Sequence, residues 1–191
     1  MKLKKIMRKT AASAALGMAV TLAGCSMKLP FTGKKPDIET SYTVCADIQC
    51  GRLNAKADVT RAGAQDWRFE FTEPKQLCGV VMSYGKSGLV AELGGLSFMT
   101  DDNPQYAMLP EIISCSIDGL AGLASESFAG DNGNLAAELT FDGQRVTVTL
   151  DESSGNLIAL SCPHYQLAVN FSEQQPYSSG LPDDGGLIAS E

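Results

Sequence analysis

Apolar and polar residues alternate one for one along most of this chain, which selects pleated strands with one buried face. Tyr42, Val44, Ala46 and Ile48 alternate with Thr43, Cys45, Asp47 and Gln49. The same rhythm returns at Leu53–Val59, Trp67–Phe71, Val80–Tyr84, Leu89–Leu93, Leu135–Phe141, Val146–Leu150, Leu157–Cys162 and Gln166–Phe171. Leu96 and Phe98 read as a continuation of the fifth run past Gly94-Gly95. Polar and glycine-rich breaks separate the runs, among them Gly85-Lys86-Ser87-Gly88, Asp142-Gly143 and Asp151–Asn156. Asp-Gly between alternating runs is a strong hairpin signal. About nine strands are expected.

One segment departs from this rhythm. Leu109, Ile112, Ile113, Ile117, Leu120, Leu123, Ala124 and Phe128 follow helical spacing, predicting one amphipathic helix over Leu109–Phe128. Pro110 suits a first turn, where its missing N–H has no partner to lose, and Glu111 complements the positive end of the helix. The order is five strands, a helix and about four strands. An antiparallel sheet with one apolar face can bury it by curling around a helix. The expected class is α+β, mainly β, with a curved antiparallel sheet around one helix over residues 40–173. Residues 174–191 are acidic and rich in Gly and Pro, and read as a disordered tail.

The first 24 residues have another character. Lys2, Lys4, Lys5, Arg8 and Lys9 precede a mostly apolar run from Ala11 to Ala23, too short to cross about 30 Å of hydrocarbon as a helix. That run ends in Leu22-Ala23-Gly24-Cys25. The whole resembles the bacterial lipoprotein signal, or lipobox. The resemblance implies cleavage before Cys25, a thioether-linked diacylglycerol on its sulfur, and a chain tethered to the extracytoplasmic face of the bacterial cell membrane. A secretory signal with an incidental cysteine, or an uncut anchor helix, remain the alternatives. Residues 25–39 contain Pro30, Gly33 and Pro36 without periodicity, and read as the lipidated cysteine and a flexible linker. The leader takes five of the fifteen Lys and Arg and none of the 22 Asp and Glu, so its removal carries the net charge from −7 to −12. So acidic a surface repels nucleic acid and anionic headgroups, and neither is expected as a partner.

Asp66-Trp67-Arg68-Phe69-Glu70-Phe71 with Leu77-Cys78-Gly79, then Leu93-Gly94-Gly95-Leu96-Ser97-Phe98, then Thr147–Asp151 running to Gly155-Asn156-Leu157-Ile158 resemble the LolA/LolB-type half-barrel lipoprotein carriers in pattern and order. That resemblance implies a half-barrel and a non-catalytic role in binding or carrying a lipid or other hydrophobic ligand. The candidate ligand-facing residues are Trp67, Phe69, Phe71, Met82, Tyr84, Phe98 and Phe141 on the concave sheet face, and Ile113 and Ile117 on the helix. Leu139, Val148 and Phe171 share the sheet face. The competing expectation is that helix and sheet fill the space between them, leaving a scaffold lipoprotein that meets another envelope protein.

Little else carries chemistry. Gly85-Lys86-Ser87 lacks the upstream glycine of a phosphate loop, which would stand at Val80, and it links two strands. Asp101-Asp102-Asn103 and Asp131-Asn132-Gly133-Asn134 lack the spacing of a calcium loop and read as turns. Beyond Cys25, five cysteines remain (Cys45, Cys50, Cys78, Cys115 and Cys162), an odd number that precludes complete pairing. They read as free thiols or as one disulfide and three thiols; Cys45 and Cys50 could meet only across a hairpin. The one histidine, His164, follows Cys162 at the end of a run. No metal site, cofactor or enzyme activity is expected.

Overall fold

A computed structural model describes residues 29–30, 35–38, 40–99 and 108–178, with the backbone alone at 29, 30, 98 and 99. Cys25 and residues 1–24 lie outside the described residues, as do Asp101, Asp102 and Asn103. Twelve strands form one antiparallel sheet. They are β1 (Leu29–Pro30), β2 (Tyr42–Cys50), β3 (Leu53–Gly63), β4 (Asp66–Glu73), β5 (Val81–Gly85), β6 (Gly88–Leu93), β7 (Leu96–Met99), β8 (Phe128–Asp131), β9 (Asn134–Phe141), β10 (Gln144–Asp151), β11 (Leu157–Cys162) and β12 (Leu167–Pro176). Their spatial order is β1-β8-β9-β10-β11-β12-β2-β3-β4-β5-β6-β7. The helix α1 spans Met108–Gly119 between β7 and β8, the two halves of the sheet.

Alternation places the core. Val44, Ala46, Ile48, Ala55, Ala57, Val59, Trp67, Phe69, Phe71, Val146, Val148, Leu150, Val169 and Phe171 are buried, while their neighbours in sequence face outward. The helix packs against β4 and β5 on one side and β9 and β10 on the other. β10 and β4 stand five strands apart in the sheet, about 24 Å if it were flat. A helix about 10 Å across reaches both only if the sheet curls around it. The half-barrel expectation holds.

Three element boundaries differ from those expected, each for a local reason. The Leu89–Phe98 run is two strands, because Gly94 and Gly95 adopt φ of +58° and +84° and turn the chain back on itself. The helix stops at Gly119 rather than Phe128. Leu120–Gly122 tightens into a 3-10 turn, Leu123 is extended, and Phe128 opens a strand whose side chain still reaches the core. Two glycines in the expected last turns, Gly119 and Gly122, weaken helical continuation. Leu29–Pro30 adds a two-residue strand, so eleven strands of four residues or more stand where about nine were expected.

The stretches flanking the domain carry structure of their own. Lys35 donates to the Ala121 carbonyl at 2.6 Å, Ile38 is buried, and Pro36 abuts Gly155. At the other terminus, β12 continues through Pro176, which pairs with Tyr42.

In a curled sheet whose strands share one tilt, the turns gather at two ends. The lower end collects Ala64–Gln65, Lys86–Ser87, Asn132–Gly133 and Glu152–Asn156. The upper end collects Gly51–Arg52, residues 74–80, Gly94–Gly95, Asp142–Gly143 and Pro163–Gln166. Asp151 organises one lower turn by accepting from the backbone N–H and hydroxyl groups of Ser153 and Ser154. These bonds lower its carboxyl to about 2. A group depressed on folding adds stability above its unfolded value and loses it as pH falls through the folded one. A carbon-detected NMR titration should therefore find Asp151 ionised at pH 3, and Asp151→Asn should abolish that low midpoint.

Candidate ligand-facing apolar surface

The expected ligand-facing residues fall into two groups. Trp67, Phe69, Phe71, Ile113 and Ile117 are packed in the closed core between sheet and helix. Trp67 stacks on Phe69 with ring centroids 6.2 Å apart, and Tyr42 meets Trp67 edge-on at 6.1 Å. Met82, Tyr84 and Phe141 are half-buried at its margins, and the backbone of Phe98 lies on β7.

Register shows where the apolar face leaves its cover. Val59, Phe69, Met82, Ala91 and Phe98 are successive cross-strand neighbours from β3 to β7. Directly opposed residues share a face. Val59 and Phe69 are fully buried, whereas Met82 and Ala91 are half-buried. Leu93 pairs with Leu96 across the Gly94–Gly95 turn, on the same face as Ala91. Leu93 is 49% exposed and Leu96 66%. The concave apolar surface thus continues beyond α1 to an uncovered hairpin tip. Sequence reading put Leu93 and Leu96 in a strand but missed them as a tip; the signal was Gly94-Gly95 between two leucines.

A buried ion pair fixes the helix to the sheet near the lower end. Arg61 occupies an inward position of β3 and is 1% exposed. Its Nε and Nη2 both donate to Asp118 Oδ1, at 3.0 and 2.9 Å, and its Nη1 donates to the Thr40 carbonyl at 3.0 Å. Asp118 Oδ2 accepts from Trp67 Nε1 and from the Gln65 backbone N–H, each at 2.9 Å. Asp118 stands in the last turn of α1, where the helix dipole disfavours an anion and the helix has no basic residue. The cation comes from the sheet. Sequence reading missed this pair too, although Arg61 continues the inward phase of Ala55, Ala57 and Val59; nothing in sequence marks Asp118 as its partner.

Between the second half of α1 and β9 lies a half-open cleft of about 230 Å³, lined by Cys115, Ser116, Gly119, Leu123, Leu139, Thr140 and Phe141. Gly119 sets its width, since a Cβ there would sit 2.8 Å from Leu139 Cδ2. Cys115 Sγ and the Tyr84 hydroxyl are hydrogen-bonded at 3.3 Å. That bond, with burial, pushes the Tyr84 hydroxyl above its ordinary range, and burial raises the Cys115 thiol. A thiol so raised is protonated at neutral pH and a poor nucleophile.

The remaining thiols and the histidine are dispersed. Cys45, Cys50, Cys78, Cys115 and Cys162 are all free. Cys45 and Cys50 lie on the single strand β2, with no hairpin between them. Cys50 and Cys162 both pair with Leu167, one from each side, so a strand separates them. Cys162 points into the core, whereas His164 is exposed on the next turn against Tyr165. Among the described residues no group of three or more His, Cys, Asp or Glu could hold a metal ion, and no helix is long and apolar enough to cross a membrane.

No family model and no curated protein matches the chain. Among solved structures, it is similar to an uncharacterized conserved protein from Thermus thermophilus, at 12% identity over 73% of this chain and 80% of that one, with a TM-score of 0.46. A LolA superfamily protein from Nitrosomonas europaea matches at 8% identity over 75% and 89%, with a TM-score of 0.38. A Vibrio parahaemolyticus domain, provisionally described as an outer membrane lipoprotein-sorting protein, matches at 11% over 75% and 88%, with a TM-score of 0.36. Likenesses of this size say nothing about activity.

Proposed function

We propose that this chain is an extracytoplasmic lipoprotein, anchored to the bacterial cell membrane through lipid on Cys25, that binds or carries a lipid or other hydrophobic ligand without catalysing a reaction. The observation that carries this reading is the apolar strip running from Met82 and Tyr84 across Leu89 and Ala91 to the exposed Leu93 and Leu96. An acyl chain laid along it would contact the sheet face directly, with the closed core behind as rigid support. Burying one Leu side chain is worth about 1.5–3 kcal/mol, so two leucines at the tip can dominate binding of a single chain.

The test uses the chain from residue 26 onward without its lipid. Native mass spectrometry and titration with an apolar fluorescent probe should detect binding. Leu93→Glu with Leu96→Glu should weaken probe binding at least tenfold while leaving the melting midpoint nearly unchanged, since exposed positions move stability by about 0.5 kcal/mol or less. Retention of no lipid and no probe by the wild-type domain would count against a ligand. The filling of the space behind α1 by Phe69, Ile113 and Ile117 favours a second reading, a scaffold with no ligand whose hairpin tip meets an envelope protein. In that case Leu93→Glu with Leu96→Glu abolishes a defined crosslink in cells and no probe binds.

A further inference from the structure

In the segment after Cys25, residues 29–30 and 35–38 are strapped to one end of the domain. Leu29 and Pro30 pair with Gly130 and Ala129 on the β8 edge. Lys35 then donates to the carbonyl of Ala121, in the 3-10 turn that follows α1, and Pro36 abuts Gly155 in a lower-end turn. Ile38 enters the core, and Thr40 receives Arg61 beside the C-terminal turn of α1.

Direction follows from the pairing. β8 runs from Phe128 toward the lower-end turn Asn132–Gly133, and β1 is antiparallel to it. The chain therefore enters β1 from the lower end, at Leu29. Three residues, Ser26, Met27 and Lys28, separate Leu29 from Cys25. Fully extended, the four steps from Cys25 to Leu29 span at most about 14 Å. A nine-residue strand such as β2 is about 30 Å long. The leash is half the height of the domain.

We propose that the lower end faces the bilayer to which Cys25 is anchored, so that the Leu93–Leu96 hairpin tip is held at the far end, away from the membrane. The partner of the lower end is the lipid surface itself. Residues 26–39 hold three lysines, Lys28, Lys34 and Lys35, against Asp37 and Glu39, so this stretch repels a lipid surface less than the rest of the acidic chain does. The orientation rests on lipidation of Cys25. It assigns the strap a role a flexible spacer could not have: it fixes which face of the domain looks outward. The hairpin tip is then presented to molecules arriving from the aqueous side.

The full lipidated protein in phosphatidylethanolamine–phosphatidylglycerol vesicles tests this, with an energy-transfer acceptor on a fraction of the headgroups. Cys78 is a natural exposed thiol in the upper-end loop between β4 and β5. Glu152→Cys, in a Cys78→Ser background, puts a label at the lower end; both proteins carry Cys45→Ser. Transfer from position 152 should exceed transfer from Cys78 several-fold. A Gly/Ser insertion of about thirty residues after Ser26, with a root-mean-square span of about 30 Å, should abolish most of that difference. Equal or reversed transfer in the protein without the insertion, with the vesicles still carrying it in flotation, overturns the orientation alone. Failure to float, with Cys25 unlipidated by intact mass, overturns the anchor reading and the orientation with it.

Discussion

Replacing Asp118 with alanine is expected to destabilise the domain by about 3–5 kcal/mol, a fall in melting midpoint of roughly 6–20 °C for a chain of this size. The cause is the cation left behind. Arg61 is 1% exposed and directs Nε and Nη2 at one oxygen of Asp118. Without that carboxylate, a buried guanidinium loses two of its hydrogen bonds and the anion that faces it. Trp67 Nε1 and the Gln65 backbone N–H lose their acceptor in the same stroke. Asp118→Asn should be intermediate, because an amide oxygen can still accept from Trp67 and Gln65 but offers no negative charge. Arg61→Met with Asp118→Leu should recover most of the loss, since an apolar pair leaves no charge uncompensated. Thermal unfolding by circular dichroism of the four proteins reads this directly. A loss below about 1 kcal/mol for Asp118→Ala would mean that water reaches Arg61 and that the clasp is not closed.

The residues involved show which layers of this molecule were legible in sequence. Strands were, because alternation is local: Val44, Ala46 and Ile48 declare their shared face within a few positions. The curl of the sheet around one helix was legible as well, since a single helical segment between two sets of strands leaves few other ways to bury both apolar faces. The Arg61–Asp118 pair was not, because its members lie 57 positions apart and meet only after β3 and α1 have packed. The hairpin at Gly94–Gly95 was misread for a different reason. Leu93 and Leu96 flank two glycines inside one apolar stretch, and only the left-handed backbone angles of those glycines show the chain reversing. The docking of Lys35, Pro36 and Ile38 has the weakest signal of all. A short stretch with two prolines shows no periodicity, and its contacts are with Ala121, Gly155 and the core, all distant in sequence.

Phe69→Ala is the second large effect expected, at about 3–5 kcal/mol. Phe69 is fully buried, stacked beneath Trp67 and flanked in register by Val59 and Met82. Truncation there opens a cavity that the curled sheet cannot collapse, because β3 and β5 hold β4 in register on both sides. Met82→Ala, one strand further along the same row, should cost distinctly less, since Met82 is only half-buried. The contrast separates two meanings of the concave face. If Phe69 lined a ligand space, shortening it would enlarge that space, change apolar probe binding and barely alter stability. If it is core, stability falls steeply, and binding of a long-chain probe at the Leu93–Leu96 tip is unchanged at temperatures where the variant stays folded. Denaturant unfolding and probe titration on the same two variants distinguish these outcomes. Equal small losses at both positions would move the ligand surface inward, beneath α1, and empty the tip of its proposed role.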